Sequence, residues 1–166
     1  GTLTQATRSA ASNANARSAF TLGGANPSAN NVIQRFDMAS LGSAVDYADL
    51  NASKHDNKGA SGAHGGIDWD GLHPQRPSVT YMPGSGRAFV YGGNRSAADS
   101  QNIDMFHVHT LGKSSDFGDL IRVQDNNASC GSRTRGIIKG GSSPSDSLNT
   151  HIDSIEYASQ GNSADF

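Results

Sequence analysis

Helical signal, cysteine and concentrated charge are all scarce in this chain. Twenty of its 166 residues are glycine, no long stretch keeps apolar residues at helical spacing, and glycine or proline interrupts most windows, so a helical bundle is excluded. Lys and Arg number 13 against 15 Asp and Glu, giving a net charge of −2 with no basic cluster. Neither nucleic acid nor an anionic membrane is therefore expected as the principal partner, because both recruit concentrated Lys and Arg. Cys130 stands alone, which rules out an intrachain disulfide. Its strand-like context marks it as a small buried hydrophobe. There is no apolar segment of membrane length and no signal-peptide pattern, so a secreted origin is not encoded in this stretch. Only 34% of residues are hydrophobic, which predicts one domain with a thin core.

What the chain has instead is repetition. Gly23-Gly24 follows SAFTL, Gly92-Gly93 follows AFVY and Gly140-Gly141 follows GIIK. An arginine introduces each run: Arg17, Arg87 and Arg135. After each glycine pair come a polar loop and a run of alternating character, NVIQRFDMAS, QNIDMFHVHT or THIDSIEYAS. A turn and an ending built like Asp116-Phe117-Gly118-Asp119-Leu120 follow, with Val45-Asp46-Tyr47-Ala48-Asp49-Leu50 and Ala164-Asp165-Phe166 as its counterparts. From Gly23 to Gly92 is 69 positions and from Gly92 to Gly140 is 48, the longer interval holding an insertion of about 20 residues. A period of roughly 48 falls in the range of propellers and solenoids.

Period-2 alternation within each copy predicts half-buried strands, and the doubled glycines permit positive φ and close backbone approach where strands end. Each copy reads as four antiparallel strands, with the first and weakest at residues 10–13, 78–82 and 127–130. The expected fold is all-β, a β-propeller of four-stranded blades with three blades in this chain. The repeats run over about 5–50, 51–120 (with an insertion at 55–77) and 121–166. The glycine doublet after an apolar strand, followed by a polar loop and an Asn/Asp-bearing strand, resembles the kelch repeat. The kelch tryptophan is missing from all three copies, with Tyr47 and Phe117 nearby instead. The DFGDL element together with SRTRGIIKGG is similar to kelch-like repeats of tailed-phage virion proteins, especially those of marine phages, and that resemblance covers nearly the whole chain outside the insertion.

The two ends complement each other. Asp165-Phe166 followed by Gly1-Thr2-Leu3 would reproduce the Asp-Phe-Gly-Asp-Leu element, so residues 1–4 are expected to complete the fourth strand of another copy's blade. Three blades are too few to close a propeller. Either two chains meet head to tail in a six-bladed ring, or the chain is a segment of a longer repeated polypeptide, which the missing initiator methionine favours.

The insertion HDNKGASGAHGGIDWDGLHPQRP holds the only Trp and is expected to lie between one blade's fourth strand and the next blade's first, on one rim. Asp68, Trp69, Asp70, His73 and Arg76 form the candidate binding group: the indole would stack on a sugar while the carboxylates take its hydroxyls. The plainer role for Trp69 is packing on its own blade or a neighbouring subunit. Asp68 to Gly71 echoes a calcium loop without its terminal glutamate. His55, His64 and His73 lack zinc spacing. His107 and His109 share a strand face, where a surface or interface role outweighs metal binding. No metal, cofactor or catalytic residue is expected: no G-x-S-x-G elbow marks an activated serine. Asp37, Asp104 and Asp153 read as turn and strand-edge hydrogen-bond acceptors, with Arg17, Arg87 and Arg135 pairing with them between blades.

The resemblance implies a non-enzymatic structural protein of the virion, in a tail, fibre or capsid appendage, with host-surface adhesion as an added role. Its partners would be further copies or repeats, other virion proteins and a surface glycan. A general kelch-type interaction module and a carbohydrate-active propeller enzyme are the alternatives.

Overall fold

The structure, a computed structural model, describes residues 1–14, 18–40, 42–61, 86–95, 98–108, 110, 112–132, 134–143 and 149–166. Three four-stranded antiparallel sheets account for nearly all of its strand content, and no helix occurs among these residues. Sheet 1 is β1 (Ala11–Ala14), β2 (Ser18–Leu22), β3 (Asn30–Asp37) and β4 (Val45–Lys54), in that spatial order. Sheet 2 takes β5 (Lys58–Ser61) and β6 (Arg87–Tyr91). It continues, after a small hairpin of β7 (Asn94–Arg95) and β8 (Ala98–Asp99), with β9 (Asn102–His107) and β10 (Ser115–Asp119). Sheet 3 is β11 (Ala128–Gly131), β12 (Arg135–Lys139), β13 (Ile152–Glu156) and β14 (Ala164–Asp165). Each sheet is a meander, every strand pairing with the next in its own copy. The first strands stand side by side, β1 next to β5 and β5 next to β11.

The burial patterns show which sheet is in the middle. Strand β6 is buried at four consecutive positions, Ala88 to Tyr91, whereas β2 alternates between buried and half-buried. Sheet 2 is covered on both faces. Ala88 and Val90 join Phe20, Leu22, Ile33, Tyr47 and Leu50 of sheet 1 in one core, and Phe89 and Tyr91 join Ile138, Ile155 and Tyr157 of sheet 3 in the other. A strand buried on both faces needs a continuous apolar run, and AFVY is the run that supplies it. Edge-to-face contacts fill both cores, Phe20 against Tyr47 at 5.3 Å and Phe89 against Phe117 at 4.9 Å. Such pairs add about 0.5–1.5 kcal/mol beyond the area they bury.

Two expectations require correction. The first strand of the second copy is β5, at residues 58–61; residues 78–82, the expected position, lie outside the described residues. The insertion therefore does not lie between sheets: the long segment after Ser61 joins β5 to β6 within sheet 2. Lys58-Gly59-Ala60-Ser61 carries almost no hydrophobic signal, and only its ladder with Tyr91 to Ala88 makes it a strand. Cys130, expected inside, is exposed on β11. That strand is the edge of sheet 3, paired on one side with β12 and next to the small β5 of sheet 2.

The glycine pairs share one conformation. Gly23, Gly92 and Gly140 have φ of 62°, 55° and 60°; Gly24, Gly93 and Gly141 have 102°, 93° and 111°. In the second copy a Cβ on Gly93 would stand 2.8 Å from the carbonyl oxygen of His55, so both the torsion and the space require glycine there. Gly93→Ala is expected to lower unfolding free energy by about 1–3 kcal/mol in urea titrations, whereas Gly112→Ala, in open space, should stay within about 0.5 kcal/mol.

Candidate functional site

A single joint, built twice from equivalent residues, links each sheet to the next. It starts at the turn before each first strand. Arg8, His55 and Asp125 each exchange two backbone hydrogen bonds with the residue just after the glycine pair of their own copy: Ala25, Asn94 and Ser142. The next residues, Ser9, Asp56 and Asn126, all adopt left-handed φ, at 54°, 53° and 49°. They are linked in series: Asp56 N donates to Ser9 O at 2.8 Å and Asn126 N donates to Asp56 O at 3.2 Å. Aspartate and asparagine tolerate this region better than most residues, which is the one local signal of these positions in the sequence. From the other side, Gly24 N donates to Lys54 O and Gly93 N to Gln124 O, each reaching the residue before the next copy's turn.

The fourth strands form the outer half of the joint. Ser114 N donates to Asp49 O at 2.9 Å and Ser163 N to Asp119 O at 2.8 Å. Each serine hydroxyl in turn accepts the backbone N–H two residues further along, from Asn51 at 2.8 Å and Ile121 at 2.9 Å. The first copy has Ala44 at this position, and its N donates to Thr2 O at 2.8 Å. Thr2 thus sits against sheet 1 as Asp49 sits against sheet 2 and Asp119 against sheet 3.

Charge is buried at the same joint. Lys54 Nζ stands 2.6 Å from Asp104 Oδ2, with both side chains fully buried between sheets 1 and 2. Asn51 Nδ2 also donates to Asp104. The equivalent carboxylate, Asp153, takes Arg122 at 3.0 Å, and burial raises its pKa although the guanidinium opposes the shift. The first copy has Gln34 here, whose Oε1 accepts from Thr4 N and Thr4 Oγ1, both at 2.8 Å.

The register corrects the expected arginine–aspartate pairing. Gln34, not Asp37, is the counterpart of Asp104 and Asp153; Asp37 accepts from Ala39 N and Ser40 N in a turn. Arg135 pairs with Glu156 across its own sheet. Arg87 donates to the carbonyl of Tyr157 in sheet 3. Arg17 lies outside the described residues, and Ser18 occupies the position of Arg87, opposite Asp37. The expected binding group, Asp68, Trp69, Asp70, His73 and Arg76, also falls outside the described residues. His107 ends β9 exposed, Val108 turns inward, and His109 is outside the described residues, so the expected shared strand face is not formed by described strand. No group of three metal-ligating side chains occurs among the described residues.

A pair of tyrosines closes the second core. Phe89 stacks on Tyr157 at 4.5 Å, and the hydroxyls of Tyr91 and Tyr157 lie where a Cβ on Gly136 or Gly131 would collide with them. Burial raises both phenols, that of Tyr157 to about 12.

The two outermost faces are incomplete versions of the same joint. On sheet 1, a groove of about 480 Å³ is lined by Gly1, Leu3, Phe36, Met38 and Ala44. On sheet 3, Ile152 and Phe166 are exposed, although their counterparts Ile33, Ile103, Tyr47 and Phe117 are all buried. No protein-family model matches the chain, and no curated protein does.

Removing one member of the buried pair leaves an uncompensated charge, so Asp104→Ala is expected to cost about 3–5 kcal/mol in denaturant unfolding, and the double change Lys54→Met with Asp104→Leu should recover most of it. The raised Tyr157 phenol contributes stability that is present below its ordinary value of 10.0 and lost as pH climbs towards 12. Phenolate absorbance in the wild type should therefore contain a transition near the top of that window that Tyr157→Phe abolishes.

Proposed function

We propose that the three sheets are blades of a β-propeller and that the chain is a non-enzymatic structural component of a tailed-phage virion, in a tail, fibre or capsid appendage. The observation that carries the blade reading is the repeated joint. Neighbouring sheets meet face to face, first strands lie beside first strands, and the links around Ser9, Asp56 and Asn126 run in one direction from copy to copy. A joint that adds one sheet at a time, always in the same sense, suits radial repetition. Its chemistry is packing, backbone hydrogen bonding and buried ion pairs, which serve rigidity.

Assignment to a virion rests on the resemblance of Asp116-Phe117-Gly118-Asp119-Leu120 and of the Arg135-led GIIKGG run to tailed-phage repeats. Host-surface adhesion would reside on the long segment between β5 and β6, which carries Asp68, Trp69 and Asp70. Placed there, the segment leaves a blade between its first and second strands, as ligand-bearing loops on rigid β scaffolds do.

The test is proteomic. Particles purified through a density gradient should yield peptides of this chain in fixed ratio to a known tail or capsid protein. Recovery only from the soluble lysate, with a cellular partner, would replace this reading with the general interaction module.

A further inference from the structure

We infer that the groove beside residues 1–3 receives Phe166 of a second copy of this chain, so that two copies close head to tail into one six-bladed ring. The inference rests on the blade reading above and deepens it. Within the chain, the aromatic of each fourth strand is buried by the following sheet. Tyr47 is 8% exposed, shares a buried cluster with Phe106 and Val108 and donates to the carbonyls of His107 and Thr110; Phe117 is 3% exposed and shares a buried cluster with Ile138, Ile155 and Tyr157. Phe166 is the third member of that series and is 70% exposed.

The receiving surface is present at the opposite end. Val108 and Tyr157, which share the buried clusters of Tyr47 and Phe117 from the next sheet, have Met38 as their counterpart in sheet 1, and Met38 is 47% exposed. It lines the groove with Phe36 and Leu3, the counterpart of buried Leu50 and Leu120. Gly1 lies against Gly42 as Gly118 lies against Gly161. Gly118 directly follows Phe117 in the sequence, so the position before Gly1 in the joint is that of Phe166.

The backbone links have matching open ends. Among the described residues, neither Ser9 N nor Asn126 O has a backbone partner. The series through Asp56 would continue with Ser9 N of one copy donating to Asn126 O of the other. Gly141 N would likewise reach Thr7 O, the counterpart of Lys54 O and Gln124 O. Propellers close with four to eight blades, and six is the only multiple of three in that range. A head-to-tail contact that closes after two copies forms a ring and then stops growing.

Native mass spectrometry and light scattering of the 166-residue chain, from low to high micromolar, test this. The expected species has twice the chain mass and does not grow with concentration. Phe166→Asp and Met38→Asp should each raise the dimer dissociation constant at least about tenfold, with the far-UV spectrum unchanged because both side chains are exposed in the single chain. A monomer throughout, a dimer indifferent to both substitutions, or an open series of larger species would overturn the inference. A density map of such a monomer separates the two levels: three sheets about one axis would leave the blade reading standing and remove only the closure, whereas sheets without a common axis would remove both.

Discussion

A four-stranded meander of this composition has two faces and too few large side chains to bury either by itself. Everything else in the molecule follows from that deficit. The apolar face of one sheet is covered by its neighbour, and the aromatics at its centre, Phe20, Tyr47 and Phe106 in one core and Phe89, Phe117 and Tyr157 in the other, come from both sides of the joint. Each buried cluster is completed where two sheets meet. This is the logic of repeat architectures, in which interfaces between neighbours supply much of the stability.

Burying the joint also buries polar backbone, and those groups must find partners. The chain meets this demand with the left-handed turns at Asp56 and Asn126, which direct an N–H at the preceding copy's carbonyl, and with the paired glycines, which bring Gly24 and Gly93 close enough to donate across the joint. Serines at the start of the fourth strands in the second and third copies add a bond in each direction. The buried Lys54–Asp104 pair belongs to the same system. A pair of this kind contributes little net stability, but a misregistered joint would strand one charge without the other, so it penalises incorrect sheet order.

The copies are not identical, and their differences follow their place in the series. The middle sheet has the continuous apolar strand AFVY because it is covered twice. The first sheet has Gln34 and Ala44 where later copies have Asp and Ser, and its partners there are Thr4 and Thr2 from the start of the chain. Departure from the repeat thus marks position along it.

Much of the architecture was legible from local pattern. The alternation of Ile152 to Glu156, the glycine doublets and the recurring Asp-Phe element identify strands, hinges and period without any three-dimensional information, because a strand's two faces and a glycine's torsional freedom are properties of neighbouring residues. The weak first strand at residues 58–61 was not legible, since Lys58-Gly59-Ala60-Ser61 becomes a strand only through its ladder with β6. Nor was the partner of Asp104: nothing near it in sequence indicates Lys54, fifty positions away, and the apparent kinship with Asp37 disappears once the register places Gln34 there. The sequence by itself determined the all-β character, the repeat period and the glycine turns that end the second strand of each copy, through short-range torsion and periodicity. Only the tertiary structure decided which face meets which, where each buried charge finds its partner and which aromatic is left uncovered, because those depend on contacts between residues the chain holds far apart until the sheets stack.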